Sequence, residues 1–158
     1  MENPPDNLCV TRCPNQRCCK QLSGLMLTRD EYETLFKSHE ENLLVKQSDD
    51  IYVITPRDGA ACPHLFQDGC AVYPDRPLDC RLYPYMMTGV ARNGDRLKVF
   101  LKGSLRCPLA VALMPEAEAR ALVTEFWRKA AGEGMDIIVR PESELVYQLR
   151  SWIRALTR

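Results

Sequence analysis

The chain of 158 residues is long enough for one domain with a modest core, and its apolar fraction of 46% is ordinary for a globular protein. Its 21 basic and 21 acidic side chains give a formal net charge of zero, which provides no electrostatic case for nucleic acid or an anionic membrane surface as a partner. No run approaches the roughly 20 apolar residues that a membrane-spanning helix needs. The segment from Met1 to Asp6 has neither the basic n-region nor the apolar h-region of a secretory signal, so we expect a cytoplasmic protein.

A cysteine-rich loop comes first in the chain. Its pattern is Cys9-x3-Cys13-x4-Cys18-Cys19, among Pro, Asn, Gln and Arg residues that show no helical or strand periodicity. If these cysteines bind metal, the adjacent Cys18 and Cys19 could belong to two metal sites or to one polynuclear cluster. Alternatively, one of them could be a ligand and the other a packed thiol.

A helix and a short strand are predicted next. Thr28 to Glu31 forms a capping box, and Ile51 to Thr55 has the composition of a strand. His39 lies on the apolar side of the predicted helix, so we expect a core or boundary residue there rather than a ligand. The apolar side recurs at helical spacing through Tyr32, Leu35, Phe36, His39 and Leu43.

A second cysteine group, Cys62-x7-Cys70-x9-Cys80, lies in a segment punctuated by Pro and Gly. Cys107 stands apart and precedes Pro108. His64 is close to Cys62 in sequence, but we expect a loop side chain rather than a ligand.

The rest of the chain is predicted to contain a hairpin and then two helices, the pair spanning 116–158. Met86 to Ala91 and Arg96 to Leu101 flank Asn93-Gly94, a strong hairpin signal. Gly132 is a plausible stop for the first helix, and the second follows Pro141. We expect both apolar stripes to pack in a core; the alternative is a surface for a partner helix. The stripes are Ala119, Leu122, Val123, Phe126, Trp127 and Ala130, and then Leu145, Val146, Leu149, Trp152, Ile153 and Leu156.

Together these elements predict an α+β fold. We expect a small, metal-stapled, cysteine-rich single domain over 1–158, with a short antiparallel sheet and about three amphipathic helices.

Eight cysteines in a reducing compartment indicate metal or redox chemistry rather than disulfides. Thiolates are the ligands that soft and borderline metals prefer, and a structural zinc site contributes on the order of 10 kcal/mol to folding. The chain has no C-x2-C knuckle of the zinc-finger type, which favours an iron–sulfur cluster slightly over zinc. One site, two four-thiolate sites, or one site and a redox-active pair all remain open.

The segment from Cys62 to Pro84 closely resembles the cysteine-cluster proteins of the YkgJ type. The shared pattern comprises Cys62-Pro63-His64-Leu65, Gly69-Cys70, Tyr73, Arg76-Pro77 and Cys80-Arg81-Leu82-Tyr83-Pro84. The family also has an N-terminal cysteine group that ends in Cys-Cys, with the tighter spacing C-x2-C-x2-C-C, and a later Cys-Pro like Cys107-Pro108. The resemblance covers 9–108, which we define as the cysteine-cluster region, and it implies a bound zinc or iron.

All eight cysteines form the candidate ligand pool, with Cys13, Cys19, Cys62 and Cys80 as first choices. Near thiolates, Arg76 and Arg81 would offset negative charge and Tyr73 and Tyr83 would donate hydrogen bonds. The alternatives are an ion pair for Arg76 and packing for the tyrosines.

The main functional hypothesis is a metal-binding protein that acts as an electron carrier, a sensor or a metal handler. A protein-modifying enzyme is a second reading, because one branch of the family includes a flagellin lysine methylase. The chain has no glycine-rich nucleotide loop, so the resemblance does not carry that activity over. The third reading is a zinc-stapled module that docks a protein partner through its C-terminal helices.

Overall fold

The computed structural model describes residues 17–66, 69–103 and 114–156. Cys9, Cys13 and Cys107 therefore lie outside the described residues. The described chain falls into two compact units that divide between Arg81 and Leu82. None of its helices has both the length and the apolar character needed to cross a membrane.

The first unit is built on a three-stranded antiparallel sheet with the order β1-β3-β2. A continuous helical segment between β1 and β2 begins as a short α-helix, widens to a π-helical turn and tightens to a 3-10 helix. The elements are α1 (Arg17–Lys20), β1 (Leu25–Thr28), α2 (Arg29–Glu31), the π-helical turn (Tyr32–Phe36), the 3-10 helix (Lys37–Asn42), β2 (Leu43–Ser48) and β3 (Ile51–Pro56).

The capping box predicted at Thr28 is present. The Thr28 hydroxyl accepts a hydrogen bond from the Glu31 amide, and the Glu31 carboxylate accepts one from the Thr28 amide. The helix predicted after it is confirmed through Asn42. Leu43 was wrongly placed in that helix, because its backbone turns extended and begins β2. Leu43 is buried in either case, so its apolar character alone could not distinguish the two conformations.

The core of this unit lies between the sheet and the helical segment. The Tyr32 ring stacks on the Tyr52 ring of β3, with 4.3 Å between the ring centroids. The buried members of the core are Leu25, Leu27, Tyr32, Phe36, Leu43 and Ile54. Cys62 and Cys80 pack against this core, which therefore supports both ends of the second cysteine group.

The segment from Cys62 to Leu82 has little regular structure over its described residues. It contains a two-stranded ribbon, β4 (Leu65–Phe66) with β5 (Gly69–Cys70), and the short helix α3 (Leu78–Leu82). Backbone turns lead from β5 toward α3, as the Pro and Gly punctuation of the sequence indicates.

The second unit is a three-stranded sheet with the order β6-β7-β8. Strands β6 (Tyr85–Asn93) and β7 (Arg96–Gly103) form the hairpin predicted around Asn93-Gly94, where Gly94 has φ +59°. Strand β8 (Asp136–Pro141) was not predicted, and it pairs with β7 in parallel.

Helix α4 (Glu116–Ala131) precedes β8 in the chain and packs against the sheet. Its whole predicted apolar stripe is buried, as are alternate residues of β7, namely Leu97, Val99 and Leu101. The helix stops at Gly132, whose φ of +98° suits a residue without a Cβ atom.

The final helix, α5 (Glu144–Leu156), has the predicted position after Pro141, but the expectation that its stripe packs in a core is wrong. All six apolar residues of that stripe are exposed.

The chain is a mixed helix and sheet protein, in agreement with the α+β prediction. The described part contains five α-helical segments rather than about three, and it forms three sheets, one of them mixed, rather than one short antiparallel sheet. The single-domain extent stays a prediction.

Candidate metal centre

Five cysteines from three segments form the described part of the candidate site. Cys18 and Cys19 lie on α1, Cys62 precedes β4, Cys70 ends β5, and Cys80 is the central residue of α3. All five are free thiols and partly exposed. We call these five residues the thiol cluster.

Backbone hydrogen bonds hold the segments of the thiol cluster together. The Cys62 amide donates to the Cys19 carbonyl oxygen over 2.8 Å, which joins the N-terminal cysteine group to the second group. The Tyr73 amide donates to the Cys70 carbonyl oxygen over 3.2 Å and turns the chain back after β5. Residues more than 40 positions apart in the sequence are therefore fixed as neighbours.

The thiols are close enough to influence one another's ionisation. Burial raises the pKa of Cys62, and the neighbouring Cys70 and Cys18 raise it further. Burial also raises the pKa of Cys80 well above its ordinary value, with contributions from the Asp79 carboxylate and the other thiols. The thiolate form is therefore disfavoured at these positions, and ionising several thiols together requires a compensating cation.

Cys18 and Cys19 act as a pair. A hydrogen bond between their thiols lowers the pKa of Cys18 to about 6 and raises the pKa of Cys19. The Arg76 guanidinium also lowers the pKa of Cys18. The first proton leaves this pair easily and the second with difficulty, as expected for two thiols that share one proton.

Arg76 lies beside the thiol cluster with unused hydrogen-bonding capacity. Its guanidinium stacks over the Tyr73 ring, 4.0 Å from the ring centroid. Its Nε atom is buried and has no hydrogen-bond partner among the described residues. Of the other two predicted neighbours of the thiolates, Arg81 is exposed at the end of α3, and Tyr83 follows that helix and is partly buried.

Two carboxylates that the sequence reasoning missed position Cys80. The Glu31 carboxylate accepts from the Leu78 amide over 2.7 Å, and Asp79 Oδ2 accepts from the Met26 amide over 2.9 Å. A carboxylate at the first amides of a helix is favourable because those amides have no partner within the helix. These bonds attach α3 to the sheet of the first unit. The capping box pointed to Glu31, but nothing local in the sequence connects it with Leu78.

His64 and His39 pack together rather than facing open solvent. Their ring centroids are 5.1 Å apart, and His64 also contacts the Phe36 ring edge to face. His64 Nε2 lies 2.8 Å from the Leu35 carbonyl oxygen, to which it can donate. Burial lowers the pKa of His64. His39 is partly buried, as expected for a residue at the core boundary, and His64 lies in the turn before β4.

The donor chemistry of the thiol cluster suits iron or zinc, since five cysteine sulfurs are gathered in one neighbourhood. Over the described ranges, however, no three His, Cys, Asp or Glu side chains are placed to hold a single metal ion. The predicted metal stapling is therefore not seen there as a formed coordination site, and the sulfurs are neighbours without a shared centre.

These features define a small protein that gathers cysteines from separate loops onto a compact sheet. Comparison with known families places it more closely: residues 8–108 match the CxxCxxCC family, described as a candidate zinc- or iron-chelating domain. The chain belongs to this family, which confirms the resemblance inferred from the segment between Cys62 and Pro84. The family description supports metal binding in general. No curated protein and no solved structure matches the chain.

Proposed function

We propose that this protein binds a metal cofactor through cysteine thiolates, and that the cofactor is an iron–sulfur cluster rather than a single zinc ion. The observation that carries the proposal is the thiol cluster, in which three separated segments bring five cysteines together. Burial raises the pKa of both Cys62 and Cys80, and the other thiols raise it further, so the cluster gains from a bound cation. Cys9, Cys13 and Cys107 complete the proposed ligand pool.

The arrangement of the thiols favours the larger cofactor. A single zinc ion binds sulfur at about 2.3 Å and needs its ligands gathered tightly around one point. The spacing of the cysteines offers no C-x2-C pair, which would place two zinc ligands on one turn. A cluster with several irons presents separate binding positions and suits thiolates that are further apart.

Arg76 is proposed to interact with the sulfurs of the bound centre. Its buried Nε donor lacks a partner among the described residues, and its charge already lowers the pKa of Cys18. A guanidinium in this position offsets the negative charge of an all-thiolate site and tunes its reduction potential. Tyr73 supports Arg76 through the stacked ring. We retain Arg81 and Tyr83 as further candidates for contact with the centre.

The test is anaerobic purification of the full chain, followed by metal analysis, acid-labile sulfide analysis and a visible spectrum on the same sample. We expect several irons with matching sulfide and a visible absorption band at about 400 nm, as iron–sulfur proteins show. The Cys80→Ser variant should lose most of the bound metal, whereas Lys46→Ser, at an exposed position of β2, should retain it.

Colourless protein with one or two zinc ions would show that the thiolates bind zinc rather than an iron–sulfur cluster. Folded protein that binds neither metal would refute the proposal. An unchanged metal content in Cys80→Ser would remove Cys80 from the ligand set.

A further inference from the structure

Helix α5 presents a broad apolar face to solvent. Six large side chains are between 47% and 76% exposed, and they occupy one side of a helix of 13 residues. The face, which we call the α5 stripe, comprises Leu145, Val146, Leu149, Trp152, Ile153 and Leu156.

The second unit holds α5 by its other side. The Glu142 amide donates to the Leu101 carbonyl oxygen over 2.8 Å, which fixes the chain just before the helix against β7. The Lys102 ammonium then lies over the Tyr147 ring, 4.1 Å from its centroid. At 100° per residue, Tyr147 lies roughly opposite Leu145 and Leu149 around the helix. The contact that attaches α5 to β7 therefore turns the α5 stripe away from the sheet.

The spacing of the stripe is symmetric under reversal. Leu145, Leu149, Trp152 and Leu156 are separated by four, three and four residues, which is the seam pattern of helices that pack side by side. Two copies of α5 in antiparallel orientation would place Leu145 against Leu156 and Leu149 against Trp152. A two-fold interface needs this kind of self-complementary surface.

The flanks of the seam also suit self-pairing. The positions next to it hold Val146, Ile153, Gln148 and Ala155. None of these residues carries a charge, so two copies meet without like-charge repulsion along the seam. Val146 and Ile153 widen the contact on one side.

The area of the stripe is also sufficient for self-pairing. At the observed exposures, the six side chains present on the order of 700 Å² of surface, close to the roughly 800 Å² that each partner buries in a standard interface. Such a patch is larger than the largest apolar patch on a typical monomer, which measures roughly 300–600 Å².

We propose that the α5 stripe is the interface of a homodimer in which two copies of α5 pack antiparallel about a two-fold axis. The inference does not depend on the metal, because every residue that carries it belongs to the second unit.

The test is the mass of the full chain in solution by sedimentation or light scattering. At about 100 µM, an association of micromolar strength gives mostly dimer, so we expect twice the mass of one chain. Leu149→Glu places a charge in the centre of the seam and should give the monomer mass. Leu44→Glu is the matched control, because Leu44 is an exposed leucine of β2 in the first unit, and it should remain dimeric. Circular dichroism checks that each variant keeps its helices.

A photo-crosslinking residue at position 145 tests the orientation. Antiparallel pairing should yield an intermolecular crosslink to the peptide that contains Leu156, whereas parallel pairing would yield one to position 145 and refute the proposed symmetry.

A wild-type chain that is monomeric at this concentration would overturn the dimer. So would a Leu149→Glu variant that stays dimeric. A monomer that binds anionic phospholipid vesicles, and loses this binding in Leu149→Glu, would assign the stripe to a lipid surface instead.

Discussion

Glu31 is expected to stabilise the first unit strongly, because one carboxylate supports two elements that are far apart in sequence. It accepts from the Thr28 amide over 2.9 Å, from the Thr28 hydroxyl over 3.1 Å and from the Leu78 amide over 2.7 Å. Replacing Glu31 with alanine removes all three hydrogen bonds and leaves two partly buried amides without a partner.

The expected loss follows from those two amides. An unsatisfied polar group that is shielded from water costs about 1–3 kcal/mol, so Glu31→Ala should lower the free energy of unfolding by about 3 kcal/mol. Glu31→Gln keeps one side-chain oxygen of the right reach, and its loss should be roughly half as large. Glu33→Ala is the control, since Glu33 is exposed in the following turn and should change stability by less than about 0.5 kcal/mol.

Urea unfolding followed by circular dichroism measures these differences. Hydrogen exchange of the Leu78 amide provides a local measurement, because that amide should lose protection in Glu31→Ala and retain part of it in Glu31→Gln. Equal unfolding free energies for the Glu31→Ala and Glu33→Ala variants would show that the carboxylate does not attach α3 to the sheet.

Two further substitutions test other parts of the structure. Burial of the carboxyl raises the pKa of Asp79 to about 6. The folded state therefore binds this proton more tightly than the unfolded state does. The free energy of unfolding should fall as the pH rises from about 4 to 6 and then level off. Asp79→Asn, measured on metal-free protein, should remove this decline, worth about 3 kcal/mol, and an unchanged pH profile would contradict the assignment. Gly132→Ala should destabilise the second unit by about 1 kcal/mol because φ is +98° there, whereas Gly134→Ala, with equally open surroundings and no positive φ, should be neutral in thermal unfolding. Equal melting temperatures for these two variants would refute the backbone argument.

The elements with strong local signals were predictable from the sequence. The capping box at Thr28, the Asn93-Gly94 hairpin and the stop at Gly132 each rest on residues within a few positions of one another. Strands β1, β2 and β8 are only four to six residues long and lack clear alternation, so periodicity did not reveal them.

The candidate site shows the same division. Cysteine content and spacing supplied the candidate ligands, and the pattern from Cys62 to Pro84 indicated the family, but the distances between the cysteines depend on contacts such as that of Cys19 with Cys62. Glu31 and Asp79 were missed because their partners, Leu78 and Met26, lie 47 and 53 residues away. Periodicity correctly gave α5 an apolar side, but the pattern contains no information on what covers that side.

The parallel pairing of β7 with β8 sets an order of assembly for the second unit. The β6–β7 hairpin can form locally, whereas β8 must wait until the chain that contains α4 has crossed back along the sheet. Until then, one backbone edge of β7 is open beside the apolar side chains of Leu97, Val99 and Leu101. An open edge of this kind is a template for pairing with another chain. Pairing with β8 therefore closes an aggregation-prone edge that the hairpin alone would leave exposed.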